Sequence, residues 1–207
     1  MKYTKKYINE KKKIKDSIII GNCCDSTYIK KSYIGGKLDH PWYSISMMGN
    51  DYLSFIKYFN SIDFTKYKKL HYNESKISNY KHIYSWNGHN YALGIKIEDT
   101  ITIEYDNGIQ LIYPHFVNWN EFDEKYTRRL ERFNNVNKED IIFTVRIYPD
   151  FTNTIISEIY NLPVNKILIF PSNHNLKDKY TDNDNTKIFI TDTWHYNFVN
   201  FVKEYDK

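Results

Sequence analysis

The chain has 207 residues, with 29 Lys or Arg against 25 Asp or Glu, a net charge of +4 and a hydrophobic fraction of 41%. That length suits one domain and that apolar content fills a sizeable core. The basic excess is small and scarcely interleaved with aromatics, so nucleic acid is not the expected partner. No apolar run approaches the ~20 residues that cross a bilayer, and none follows the basic N-terminus as a signal peptide requires. A protein of the cytoplasm is expected, without membrane partners. Tyr 20, Phe 12 and Trp 4 make 17% of the chain aromatic; tyrosine can fill a core with its hydroxyl wet, so a mean hydropathy of -0.66 is compatible with folding. The abundance of Lys, Asn, Ile and Tyr points to an AT-rich coding genome, and the cytoplasm would be a host's if that genome is viral.

Residues 1–16 carry seven lysines and read as a basic arm, either for phosphates and acidic surfaces or simply solvated. Residues 17–207 read as a single α/β domain. The apolar run 17–20 predicts a first strand, followed by Gly21-Asn22 and the adjacent Cys23 and Cys24. A short helix is expected over 26–33, ended by Gly35-Gly36, and then a loop through His40-Pro41-Trp42-Tyr43. Residues 51–59 predict a helix burying Tyr52, Phe55, Ile56 and Phe59, capped by Asn50 or Asp51. Residues 66–90 are polar, aromatic-rich and aperiodic, and read as a long loop with weak elements. Period-two alternation then predicts strands over 95–98, 101–105 and 109–113, with Asp106-Asn107-Gly108 as a hairpin turn. Residues 121–134 predict an amphipathic helix with i,i+4 charge pairs from Asp123, Glu124, Arg128 and Arg132. Buried strands are expected at 140–147, 166–170 and 187–191, with helices at 152–162 and 194–205. Strands alternating with helices favour a mainly parallel, doubly wound sheet of Rossmann or flavodoxin type, flanked by helices and carrying the antiparallel hairpin as an insertion.

Cys23 and Cys24 are the only cysteines, and adjacent cysteines cannot readily bridge each other, so a reducing compartment is expected. They follow a buried strand, where open α/β sheets form their binding crevices. A helix starting near residue 26 would favour the Cys24 thiolate, and amides after Gly21 would hold an oxyanion. A thiolate nucleophile needs a base and a group that orients it. Among seven histidines, His115 closes a strand in Pro114-His115-Phe116 and is the best base, with Asp150, just past a strand, or another acid as the third member. His40 is in a loop, His71, His82 and His89 lie in the aperiodic stretch, and His174 lies in a polar loop. Substrate contacts are expected from Gly21, Asn22, Arg146 and Trp42, with Arg146 suited to a carboxylate or phosphate. No His-x-x-x-His or Cys-x-x-Cys spacing marks a metal site and no glycine-rich loop marks a nucleotide, so no metal or cofactor is expected. A rival hydroxyl constellation pairs Ser26 with Asp192 and His195, whose Asp-x-x-His spacing resembles that of SGNH-type esterases.

The segment Ile20-Gly21-Asn22-Cys23-Cys24-Asp25-Ser26-Thr27-Tyr28 resembles the opening of an uncharacterised family described as papain-like cysteine peptidases, the DUF1796 type. Related domains occur beside polysaccharide-synthesis proteins. The family spacing of Gly, two residues, Cys and a later aromatic selects Cys24 over Cys23. Pro41-Trp42-Tyr43-Ser44 is similar to its Pro-Phe-Asp-Trp, with Tyr43 at the acid, and His115-Phe116 is similar to its His-Asp-Phe, with Phe116 at the acid. The helix around Arg128-Arg129-Leu130-Glu131-Arg132-Phe133 and the strand ending Phe143-Thr144-Val145-Arg146 are similar to its Arg-Arg-x-x-Arg-Phe and Phe-Val-Arg. The resemblance implies a cysteine-dependent hydrolase or acyl transferase acting on a peptide, acyl or glycan conjugate. The alternative from the residues themselves is a non-catalytic module that binds a glycan or host factor through the aromatic stretch 72–91.

Overall fold

The computed structural model describes residues 18–23, 40–42, 45–79, 84–86, 88–92, 95–97, 100–114, 116 and 118–191. The expected basic arm, the helices at 26–33 and 194–205, and the residues Cys24, Ser26, His115, Asp192 and His195 lie outside the described residues. In chain order the strands are β1 (Ile18–Gly21), β2 (Tyr67–Leu70), β3 (Tyr84–Trp86), β4 (His89–Ala92), β5 (Ile95–Lys96), β6 (Ile101–Tyr105), β7 (Gln110–Tyr113), β8 (Ile141–Arg146), β9 (Lys166–Pro171) and β10 (Thr186–Thr191). The helices are α1 (Gly49–Tyr58), α2 (Trp119–Phe133) and α3 (Asn153–Asn161). Among the described residues, no helix is long and apolar enough to cross a membrane.

The apolar runs expected to be buried strands make one parallel sheet in the order β1-β8-β9-β10. Its register sets Ile20 beside Phe143 and Arg146 beside Ile169. Every residue of β1 and β8 is buried, so side chains pointing to either face are out of water; parallel strands require that cover. Helix α3 makes the crossover from β8 to β9. Its start is capped by Thr152, whose hydroxyl accepts from the Ile155 N–H, and Ile155, Ile156 and Ile159 form its buried stripe.

The hairpin departs from the expectation of an insertion in that sheet. Strands β6 and β7 pair around Asn107-Gly108 as predicted, with Gly108 at φ +76°, but they join β2 in a separate antiparallel sheet ordered β2-β6-β7. The stretch read as a long loop also contains β2 and the hairpin β3-β4, which turns at Gly88 (φ +76°) and continues into β5 as a third sheet. Strand β2 hides from pattern reading because it turns Lys68 and Lys69 to solvent and buries only Leu70.

The layers meet in an aromatic core. The Trp42 ring lies 4.5 Å from Phe64, 4.6 Å from Phe133, 5.1 Å from Phe59 and 5.7 Å from Phe55, centre to centre. Each such edge-on pair adds about 0.5–1.5 kcal/mol beyond burial of its area. A hydrogen-bonded chain runs through this apolar mass: Trp42 Nε1–H donates to Tyr105 (3.3 Å), the Tyr105 and Tyr126 hydroxyls are 2.6 Å apart, and Tyr126 donates to the Phe64 carbonyl (3.0 Å). Helix α2 contributes Phe122, Tyr126, Leu130 and Phe133, the predicted stripe, and starts at Asn118, whose side chain accepts from the Glu121 N–H. Its charge pairs include Glu121 with Lys125 and Glu124 with Arg128. Asp123 instead reaches across to β2, accepting from Tyr67 (3.1 Å) and pairing with Lys69 (2.5 Å).

Candidate functional site

A cleft of about 560 Å³ opens at the carboxyl ends of β8, β9 and β10. Its volume falls within the range of small-molecule sites, and its place is where open α/β sheets bind ligands. The floor is apolar, from Ile147, Ile169 and Pro171, and the polar wall comes from Arg146, Tyr148 and the turn 172–175. Three parallel strands ending side by side produce this edge, because each chain must leave the sheet there to begin its return.

Strand β1 delivers its carboxyl end beside β8, so Asn22 and Cys23 reach the same edge. Asn22 is almost fully buried, and its amide completes the sheet: Nδ2 donates to the Arg146 carbonyl (2.8 Å) and Oδ1 accepts from the Arg146 N–H (2.8 Å). The Asn22 main-chain N–H donates to the Thr144 carbonyl (3.3 Å). The expected substrate contact at Asn22 is therefore committed, through both its side chain and its N–H, to holding β8. Of the amides following Gly21, this one is spent within the sheet. Gly21 itself lies in the ladder opposite Thr144.

Tyr52, from α1, sits across the seam between the two strands. Its hydroxyl is within 2.8 Å of the Ile20 carbonyl and 2.9 Å of the Thr144 carbonyl. Burial, with the adjacent Cys23 thiol acting in the same direction, holds the phenol well above its ordinary pKa. Cys23 is itself buried.

Asp150 lies four residues beyond the end of β8, and Oδ2 accepts from the Gly49 N–H (2.6 Å). This supplies the start of α1 with a cap that its own sequence lacks, since Met48 stands at the cap position and makes no side-chain bond. The expected local cap, Asn50 or Asp51, is replaced by this long-range one. Asp51 is buried and paired with Lys76 (2.6 Å); burial pushes its carboxyl above the ordinary range despite the ammonium's opposing pull. Gly49 is also needed sterically: a Cβ there would lie 3.2 Å from both the Asp150 carbonyl and the Phe151 ring.

The structure brings Asn22, Arg146 and Asp150 to one edge of the sheet. It separates Trp42 from them: expected as a substrate contact, Trp42 is fully buried in the aromatic core. Cys24 and His115 lie outside the described residues, but the segments that carry them are joined by backbone bonds. Met47 N–H donates to the Asn22 carbonyl (3.0 Å), and Ser46 pairs with Ile112 through both its N–H and its carbonyl (2.7 and 2.9 Å). Asn22, just after β1, and Ile112, in β7, are thus fastened to consecutive residues of one segment.

Sequence reading passed over His174. It lines the cleft, packs edge-on against Phe170 (5.4 Å between centres) and accepts the Leu176 N–H at Nδ1 (3.2 Å). Burial lowers its pKa, favouring the neutral ring, and an occupied Nδ1 leaves the proton on Nε2. The signal was its position directly after a buried strand, Phe170-Pro171-Ser172-Asn173-His174. Among the described residues, no group of three or more His, Cys, Asp or Glu could hold a metal ion. No family model matches the chain, and no curated protein matches it in sequence.

Proposed function

We propose that the protein is a cysteine-dependent hydrolase or acyl transferase working at the carboxyl edge of its parallel sheet, with Cys24 as nucleophile and His115 as base. The observation that carries this reading is the 46–47 segment, which bonds both to Asn22, just after β1, and to Ile112, in β7, while Asn22 in turn holds Arg146 at the rim of a ligand-sized cleft. In the reaction the Cys24 sulfur attacks an acyl carbonyl, its proton passes to His115, and the leaving group departs with that proton. Water or a second acceptor then cleaves the thioester. Asp150 holds the start of α1 at this edge and, in this reading, orients the base. The similarity of the segment around Cys24 to the DUF1796-type family supports the same assignment, as does the pairing of two adjacent cysteines with a reducing, cytoplasmic setting. Burial of β1 and β8 on both faces supports reading the parallel strands as part of a doubly wound sheet.

Alkylation by iodoacetamide at neutral pH, with peptide mapping, tests the proposal. Cys24 should react several-fold faster than cysteine in solution and slow in H115A, with buried Cys23 as a slow internal control. A Cys24 rate equal to that of the simple thiol in both proteins would refute the nucleophile. That outcome would favour a non-catalytic module binding a glycan or host factor, a reading supported by the exposure of Tyr72 at the start of the aromatic stretch.

A further inference from the structure

The cleft combines an apolar floor with a fixed polar wall. No Asp, Glu or Lys stands among its described lining residues, and Arg146 is buried and already engaged within the fold. A charge set down on Ile147, Ile169 and Pro171 would give up water for apolar surface. The wall, the 172–175 turn, is anchored from behind: Ser172 N–H donates to the Thr191 carbonyl (2.9 Å), His174 N–H donates to the Pro171 carbonyl (2.9 Å), and the Lys177 ammonium donates to the Ser172 carbonyl. The anchors leave the side-chain amides of Asn173 and Asn175 and the His174 Nε2–H without a protein partner among the described residues. With Nδ1 occupied by the Leu176 N–H (3.2 Å), the His174 ring offers a donor alone, and burial keeps that ring uncharged. Each asparagine amide offers both a donor and an acceptor. Together they match a ligand edge that carries a carbonyl beside an N–H, on a body apolar enough for the floor.

We propose that this cleft binds an uncharged small molecule with an amide or lactam edge and an apolar body, its carbonyl accepting from His174 Nε2–H and its edge read by Asn173 and Asn175. The proposal shares the carboxyl edge with the catalytic reading and, if that reading holds, names the part of the substrate that lies away from the bond cleaved. Its readout is binding and not turnover. Saturable binding without Cys24 reactivity would sink only the catalytic reading, and reactivity without binding only this one.

The test is a titration of the whole isotope-labelled protein, followed by its backbone amide NMR signals, with probes of one shape and different charge: benzamide, benzoate and benzamidinium. Benzamide should shift the signals of residues 172–175 saturably, and both ions should bind at least about threefold more weakly because each must shed water. Acetamide, which lacks the ring, should bind at least about tenfold more weakly than benzamide, since it covers little of the floor. N173A/N175A changes two exposed positions whose side chains bond to nothing else in the described fold, and it should weaken benzamide about three- to tenfold. H174F, which keeps a ring against Phe170 but removes the donor, should do likewise. The proposal is overturned if benzamide gives no saturable shifts at 172–175, if either ion binds more tightly than benzamide, or if N173A/N175A and H174F bind with parental affinity.

Discussion

Replacing Asn22 tests how the carboxyl edge is held together. Its side chain makes two buried hydrogen bonds of 2.8 Å to the main chain of Arg146, one as donor and one as acceptor. In N22A the Arg146 N–H and carbonyl both lose their partner out of reach of water. An orphaned buried group costs about 1–3 kcal/mol, so the pair should cost about 2–6 kcal/mol. N22D separates the two bonds, since a carboxylate still accepts from the N–H but turns a lone pair toward the carbonyl. It should lose about 1–3 kcal/mol despite its nearly identical shape. Urea denaturation followed by circular dichroism reads both: with m of about 2 kcal/mol/M, N22A moves the midpoint down by about 1–3 M at constant m. Loss of less than about 0.5 kcal/mol in N22A, or N22D as stable as the parent, would show that the amide is not what fastens β1 to β8.

Asp150→Ala should cost about 0.5–2 kcal/mol by uncapping α1, whereas Asp150→Asn keeps an acceptor for the Gly49 N–H and should keep most of the stability. If Asp150 also orients the base, D150N should lose alkylation rate at Cys24 while its Tm holds, and an unchanged rate assigns the residue to capping alone. Lys76→Met strands the buried Asp51 carboxylate and should cost about 1–3 kcal/mol, most of it recovered in K76M/D51N; a double mutant no more stable than K76M would contradict the pairing. Lys166 donates to the Leu162 and Val164 carbonyls at the end of α3, yet burial lowers its pKa from 10.5 to about 8. Between those values the unfolded chain holds a proton that the folded one has released, so stability should climb with pH, by about 1 kcal/mol from pH 8 to 9.5 after allowance for solvent screening. The climb should flatten in K166M, and it should reverse above pH ~10, where the unfolded tyrosines ionise while buried Tyr52, Tyr113 and Tyr126 resist. A parent protein whose stability is level from pH 8 to 9.5 would refute the assignment.

The elements legible in the chain were those whose signal is local. Helix α2 shows its buried face in the spacing of Phe122, Tyr126, Leu130 and Phe133, and the β6-β7 turn is written in Asn107-Gly108. Strands β8 and β9 stand out as unbroken apolar runs because cover on both faces removes any need for a polar side. Strand β2 left no such trace, since an edge position lets its lysines face solvent and Asp123 of α2 supplies a partner for Lys69. Of the cleft's lining, Arg146 stood out in the chain by its place at a strand end, while His174, equally close to one, was lost in a polar loop.

The chain by itself determined where most helices and strands begin and end, because period, turn chemistry and caps act over a few residues. Only the tertiary structure decided what the polar side chains do. Asn22 faces Arg146 across 124 residues of sequence, and Asp150 caps α1 across 101. Trp42, expected at a ligand, fills the core, and the hairpin pairs with β2 in a sheet of its own. A buried donor or acceptor must be satisfied wherever the fold brings a partner, and that partner is set by which strands lie side by side, a property no short window of sequence contains.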